Sequence, residues 1–266
     1  MLGFRLFLHA LRMILGNLSA AFRISVPLFL MAALLAWMSL TIARHPAAAA
    51  MPGGGVRVPF EALPAGFGIG FLLAIFLAVI AFLWTAVAWH RYTLLEETPG
   101  ALLPPWNGGA IWSYFVAAIV WVLLVFAVGL AISIVGGFVL AMFSGSLSHG
   151  SPAVVALVFG AIVYVPIVIV SYRIAPILPA AAIGRKISVG DAWRATSGAN
   201  GALFFMALVT VVVSLAASAP VAALEAVSLT LALIWQALVN WFGMLLGISI
   251  LTTLYGHFVE KRDLNV

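Results

Sequence analysis

An all-α membrane bundle is the fold this sequence predicts, and three observations predict it. Of its 266 residues, 65% are hydrophobic and only 7% are charged, too few charges to cover the surface of a soluble domain. The apolar residues gather into runs of roughly 20, the length that spans ~30 Å of hydrocarbon. The basic residues are shared unevenly among the gaps between those runs. The expected architecture is one domain over 1–266: a polytopic helical bundle of six transmembrane helices in three hairpins, with interfacial helices on the cytoplasmic side.

The elements follow in order. Residues 4–20 open with FRLFLHALRMIL, in which Arg5, His9 and Arg12 share one helical face. The expectation is a helix lying in the membrane interface with its basic side toward the headgroups. The sequon Asn17-Leu18-Ser19 falls on the side read as cytoplasmic and is discounted. Span one covers about 24–43, between Arg23 and Arg44, with Pro27 in its first turn, where a missing N–H is tolerated. A cleaved signal peptide fits poorly, because the leading segment and the apolar run are both too long. Residues 45–65, with Gly53-Gly54-Gly55, read as a loop.

Span two covers about 66–89 and ends in Trp89-His90-Arg91-Tyr92, followed by Glu96-Glu97 and a Pro-rich loop with Trp106. Span three covers about 111–135, where Gly136-Gly137 is expected to end or bend it. A turn over 144–152 leads to span four, about 153–172, with a kink expected at Pro166. Span five covers about 202–223. Span six covers about 232–257, within an apolar run, 229–258, that is longer than a bilayer needs.

Six spans place both termini on one side. That side then holds Arg5, Arg12, Arg23, Arg91, Arg173, Arg185, Lys186, Arg194, Lys261 and Arg262, and the other only Arg44 and Arg57. This is a positive-inside distribution, so both termini are expected on the cytoplasmic side. The net charge of +5 is thereby explained by topology and anionic lipid, not by nucleic acid. The even spans end in aromatics at 89, 172 and 255, spaced equally by 83 residues. Three copies of one unit would give this spacing, and so would any three helix pairs of membrane length.

Chemistry has few candidates. Cysteine is absent, which excludes disulfides and thiolate sites. The carboxylates Glu61, Glu96, Glu97, Asp191, Glu225, Glu260 and Asp263 lie outside the span centres, so no proton relay crosses the bilayer. The histidines at 9, 45, 90, 149 and 257 lack ligand spacing, though His90 and His257 could meet at the rim. No catalytic residue, cofactor or metal is expected. Gln236 and Asn240, four apart with Gly243 and Gly247, form a polar, small stripe on span six. It reads as an interhelical contact, or alternatively as the lining of a substrate path.

The longest interruption of the apolar pattern is 171–201, where Pro176 and Pro179 break the helix and Ser188 can cap a short one with Asp191 near its positive end. Arg91, Arg173, Arg185, Lys186 and Arg194 are expected to form a basic cytoplasmic rim for anionic lipid headgroups or a membrane-protein partner. Arg91, Arg173 and Arg194 should surround one concavity, with Trp89, Tyr172 and Trp193 on its membrane side.

The pattern Tyr172-Arg173, Leu178-Pro179-Ala180, Gly184-Arg185, Asp191-Ala192-Trp193-Arg194-Ala195-Thr196 and Gly198, with Trp89–Tyr92 and Pro104–Trp106, resembles bacterial six-helix membrane proteins. These include the membrane domain attached to some glycerophosphodiester phosphodiesterases and related stand-alone membrane proteins. The catalytic domain of those enzymes has no counterpart here, so the resemblance implies the membrane fold and not the activity. The function expected is a non-enzymatic inner-membrane accessory or scaffold. The alternative is a transporter or channel for a small or lipidic molecule.

Overall fold

The computed structural model describes residues 1–46, 49–50, 56–59, 62–142 and 152–264. It is built of helices: α1 (Leu2–Leu15), α2 (Leu18–Ile24), α3 (Val26–Ala43), α4 (Phe67–Leu95), α5 (Gly108–Met142), α6 (Pro152–Ile174), α7 (Ile177–Ala182), α8 (Val189–Ala195), α9 (Asn200–Ser218), α10 (Pro220–Val227) and α11 (Leu229–Leu254). The last continues into a π-helical turn, Tyr255–Val259. Among the described residues, five helices are long and apolar enough to cross a membrane. The number is six when α2 and α3, bent by 54°, count as one span. This is the build of a multi-pass membrane protein. Beyond helices there is a two-residue antiparallel pairing of Ala49 with Arg57 and Ala50 with Val56.

The core lies toward one end of the bundle. Buried positions concentrate in the second halves of α4 and α11, the first half of α9, and along α1 and α7. Small side chains there let backbones approach: Ala10, Ala21, Ala86, Ala175, Ala180, Ala182 and Ala192 are all fully buried. This end also carries the paired termini, for the Arg5 guanidinium donates to the Leu264 carbonyl at 3.4 Å. At the other end α10 has no buried residue, and neither has the most apolar stretch of α5, as expected of helices facing lipid.

The first helix differs from its expected place. Its apolar face, Gly3, Leu6, Phe7, Ala10 and Ile14, is buried in protein, packed on α9 and α11. Gly3 permits this, since a Cβ there would stand 2.3 Å from the Ala202 carbonyl oxygen of α9. An amphipathic face has the same sequence whether it meets lipid or helices. Asn17, at the end of the segment, is tied inward by accepting the Tyr92 hydroxyl at 2.6 Å and donating to Met13.

Span one is broken at Ser25. Pro27, just inside α3, has no N–H to carry the helix ladder across. The break is held by polar contacts. The Thr85 hydroxyl donates to the Ile24 carbonyl, and the Trp241 indole N–H donates to the Ser25 hydroxyl at 2.9 Å while its ring stacks on Phe22. Two other boundaries also move. The helix of span two runs six residues past Trp89 to Leu95. The helix of span three continues through Gly136-Gly137 to Met142, so the glycines do not end it. Helix propensity at two glycines is a cost of only about 2 kcal/mol, small beside the loss of hydrogen bonds in an apolar surrounding. The turn expected over 144–152 lies outside the described residues up to Ser151, as do Glu61, His149 and the Gly53–Gly55 run.

Candidate functional site

The basic residues come to the core-bearing end on the tips of α4, α6, α7 and α8, and Arg91, Arg173, Arg185 and Arg194 each reach a defined partner. Helix α4 stops at Glu96, which takes a left-handed conformation (φ 57°) and turns Glu97 back toward the helix. Arg91 then grips Glu97 with both Nε, at 2.8 Å, and Nη2, and donates from Nη1 to the Ala182 carbonyl of α7 at 3.1 Å. The fork is a tether between α4 and α7, occupied by its own carboxylate.

Arg173, near the end of α6, is only 9% exposed. Its guanidinium lies 3.6 Å over the Trp193 ring, and Nη2 donates to the Trp193 carbonyl at 2.7 Å. Nε approaches the Thr196 hydroxyl at 3.4 Å. A cation thus sits on the C-terminal carbonyls of α8, where the helix dipole favours it. Helix α8 begins with the expected capping box. Asp191 N donates to Ser188 Oγ at 3.0 Å, and Ser188 N donates to Asp191 Oδ2 at 3.1 Å. Arg194 donates to Asp191 Oδ1 at 2.5 Å. The Ser188 hydroxyl and backbone, then Arg194, hold the Asp191 carboxyl below its ordinary range.

Arg91, Arg173 and Arg194, expected around one concavity, are each engaged separately. Each guanidinium is held by its own set of partners: Glu97 and Ala182, Trp193 and Thr196, and Asp191. Trp89, expected on the membrane side of that concavity, lies in the core. It is fully buried and donates its indole N–H to Ser249 Oγ at 2.9 Å, a core contact between α4 and α11. Tyr172 is half-buried, and Trp193 is exposed beneath Arg173. The partners were visible as residue types, since Glu97 follows Arg91 by six. Only the left-handed turn at Glu96 brings them together.

Arg185 and Lys186 stand apart. Helix α7 ends in a Schellman turn: Gly184 takes φ +77°, Arg185 N donates to the Ala180 carbonyl at 2.8 Å, and Gly184 N to Ala181 at 3.2 Å. The turn presents both cations at the mouth of a groove of about 540 Å³ between α5 and α7. Trp112, Val116 and Val120 form its α5 wall, Ile177 and Ala181 its α7 wall, and residues 184–189 its basic end; no carboxylate lines it. Arg185 donates to Glu260 at 3.1 Å yet keeps its side chain 65% exposed. Glu260 is shared with Arg262, whose Nη2 reaches the Leu94 carbonyl. No described residue forms an ion pair with Lys186.

Gln236 and Asn240 do not bridge helices. Gln236 Nε2 donates to Asn240 Oδ1 at 2.7 Å within α11, and Gly243 and Gly247 face open space. An apolar recess of about 270 Å³ between α9 and α11 includes neither amide among its lining residues. His90 is fully buried, with Nδ1 2.8 Å from the Thr252 hydroxyl, whereas His257 is half-buried with Nδ1 3.2 Å from the Arg262 carbonyl oxygen. Among the described residues no three or more side chains of His, Cys, Asp or Glu are grouped to hold a metal.

Fold and site together define an all-helical, multi-pass type of membrane protein with an amphipathic groove at its basic end. Comparison with protein-family models, with curated proteins and with solved structures found no match.

Proposed function

We propose that this chain is a non-enzymatic accessory or scaffold protein of a bacterial inner membrane, whose basic end engages anionic lipid headgroups. In this reading six spans form three hairpins, both termini are cytoplasmic, and the relatives in kind are the stand-alone counterparts of phosphodiesterase membrane domains. The observation that carries it is the unequal use of the cations. Arg91 and Arg173 are largely buried and serve the fold, while Arg185, Lys186 and Arg194 stay exposed, the first two at a membrane-side groove without a lining carboxylate. Cations at that level attract an anionic leaflet by about 1 kcal/mol each. The transport reading rested on the two amides of α11, which are joined along that helix by one hydrogen bond from Gln236 to Asn240.

The test is purification in mild detergent followed by analysis of the lipids carried along. The parent should be enriched in anionic over zwitterionic lipid, and Arg185→Gln with Lys186→Gln should remove the enrichment. Equal lipid composition in parent and variant would refute the reading.

A further inference from the structure

We infer that the groove between α5 and α7 is a seat for a single anionic glycerophospholipid, its phosphate at Lys186 and Arg185 and one acyl chain along the α5 wall. The inference rests on the lipid-engaging reading above and adds a stoichiometric site to it. A diffuse basic surface requires only cations near a leaflet. A seat requires a polar end, an apolar wall of matching length, and room for one molecule.

All three are present. Val116 and Val120 lie four apart on one face of α5, and Trp112 precedes them by one more turn. From Trp112 to Val120 the wall runs about 12 Å at 1.5 Å per residue, most of the ~15 Å that one leaflet's hydrocarbon occupies. The wall is open to lipid, for Val116 is 45% and Val120 38% exposed. At the other end stand Lys186 and Arg185, the latter sharing its charge with Glu260, and no carboxylate is among the residues that line the groove. Glu260 takes one nitrogen of Arg185, which fixes the direction of that side chain while leaving donors free. The Lys186 ammonium is a mobile point charge suited to a phosphate oxygen. Trp112, 65% exposed, stands where an indole favours the headgroup boundary. The volume of about 540 Å³ falls within the range of single-ligand pockets and admits a chain and part of a headgroup, not a bilayer patch. The order of the lining, apolar on the spanning helix and basic on the connecting turn, matches the order of groups along a lipid, which selects lipid over a soluble peptide.

The experiment is native mass spectrometry of the whole detergent-purified chain titrated with phosphatidylglycerol or phosphatidylcholine. The parent should hold one phosphatidylglycerol at least tenfold more tightly than phosphatidylcholine. Val116→Trp with Val120→Trp fills the wall and should abolish that single binding event. Val122→Trp, on the opposite and 52% exposed face of α5, should leave it unchanged. Lys186→Gln should weaken it about fivefold. Retained one-to-one binding in the filled variant overturns the seat while leaving the lipid-engaging reading standing. No preference for the anionic lipid in the parent, or none lost when both cations are replaced, overturns the reading itself. Displacement of the lipid by inorganic phosphate alone would show a free-phosphate site and also overturn the seat. Should the doubly filled variant not fold, brominated phosphatidylglycerol decides the matter in unfilled protein. Part of its quenching should vanish in Trp112→Phe, and identical quenching would refute contact.

Discussion

Gly3→Ala separates a docked first helix from one that lies in the membrane interface, because the two arrangements predict opposite signs. On an exposed helix the added methyl group stabilises by about 1 kcal/mol, the difference in helix propensity between glycine and alanine. In the packing found here the new Cβ would stand 2.3 Å from the Ala202 carbonyl oxygen and 3.1 Å from the Met206 nitrogen. Contacts below 3.0 Å are essentially never seen, so α1 and α9 must separate by about 0.7 Å or more. Both obstructing atoms are backbone and cannot rotate away. Overpacking of this kind costs about 1–3 kcal/mol, and the shift is passed on to the fully buried Leu6, Leu203 and Met206. The assay is thermal unfolding in mild detergent, with Gly109→Ala as control, since a Cβ there meets nothing within 4 Å. Gly3→Ala should lower the midpoint while Gly109→Ala leaves it level or raised. A midpoint for Gly3→Ala equal to or above the parent's would refute the docked arrangement.

Other expectations follow from the same contacts. Gly184→Ala should destabilise by about 1–2 kcal/mol in detergent unfolding, since φ +77° opposes a Cβ even where space is open. Arg173→Gln removes the cation from the Trp193 ring and a charged bond to its carbonyl; hydrogen exchange over 189–199 should quicken by about tenfold or more, the equivalent of ~1.5–3 kcal/mol. Asp191 titrates below its ordinary value of 3.8 in the folded chain, so its contribution is complete above that value and is lost as pH falls through the lowered one. Exchange at 189–195 should therefore rise only in strong acid, and Asp191→Asn should show that faster exchange already at neutral pH.

Much of the spanning framework could be read directly. Apolar runs of bilayer length were sufficient to place the long helices, because backbone polar groups in hydrocarbon must be satisfied within each helix, though α4 and α5 run six and seven residues past their expected ends. The cap at Ser188 was equally legible, since Ser and Asp three apart bond locally and need no distant partner. The rim was less so. Arg91 and Arg185 look alike in sequence, each basic and beside an aromatic or a glycine at the edge of an apolar run. One is closed on Glu97 and the other stays exposed because of two left-handed residues, Glu96 and Gly184, which aim the chain in different directions.

Trp89, Gln236 and Asn240 mark the same division from the apolar side. A tryptophan at the end of a span serves equally as an interfacial anchor or a core donor, and Ser249, 160 residues away, makes it the second. Two amides four apart on a helix can bond to each other, as Gln236 and Asn240 do. By itself, then, the sequence determined composition, helix lengths, local caps and the clustering of cations, all properties of short range or of the surrounding solvent. Tertiary structure alone decided which apolar face meets protein and which meets lipid, and which cations are left to bind, since both depend on partners distant along the chain.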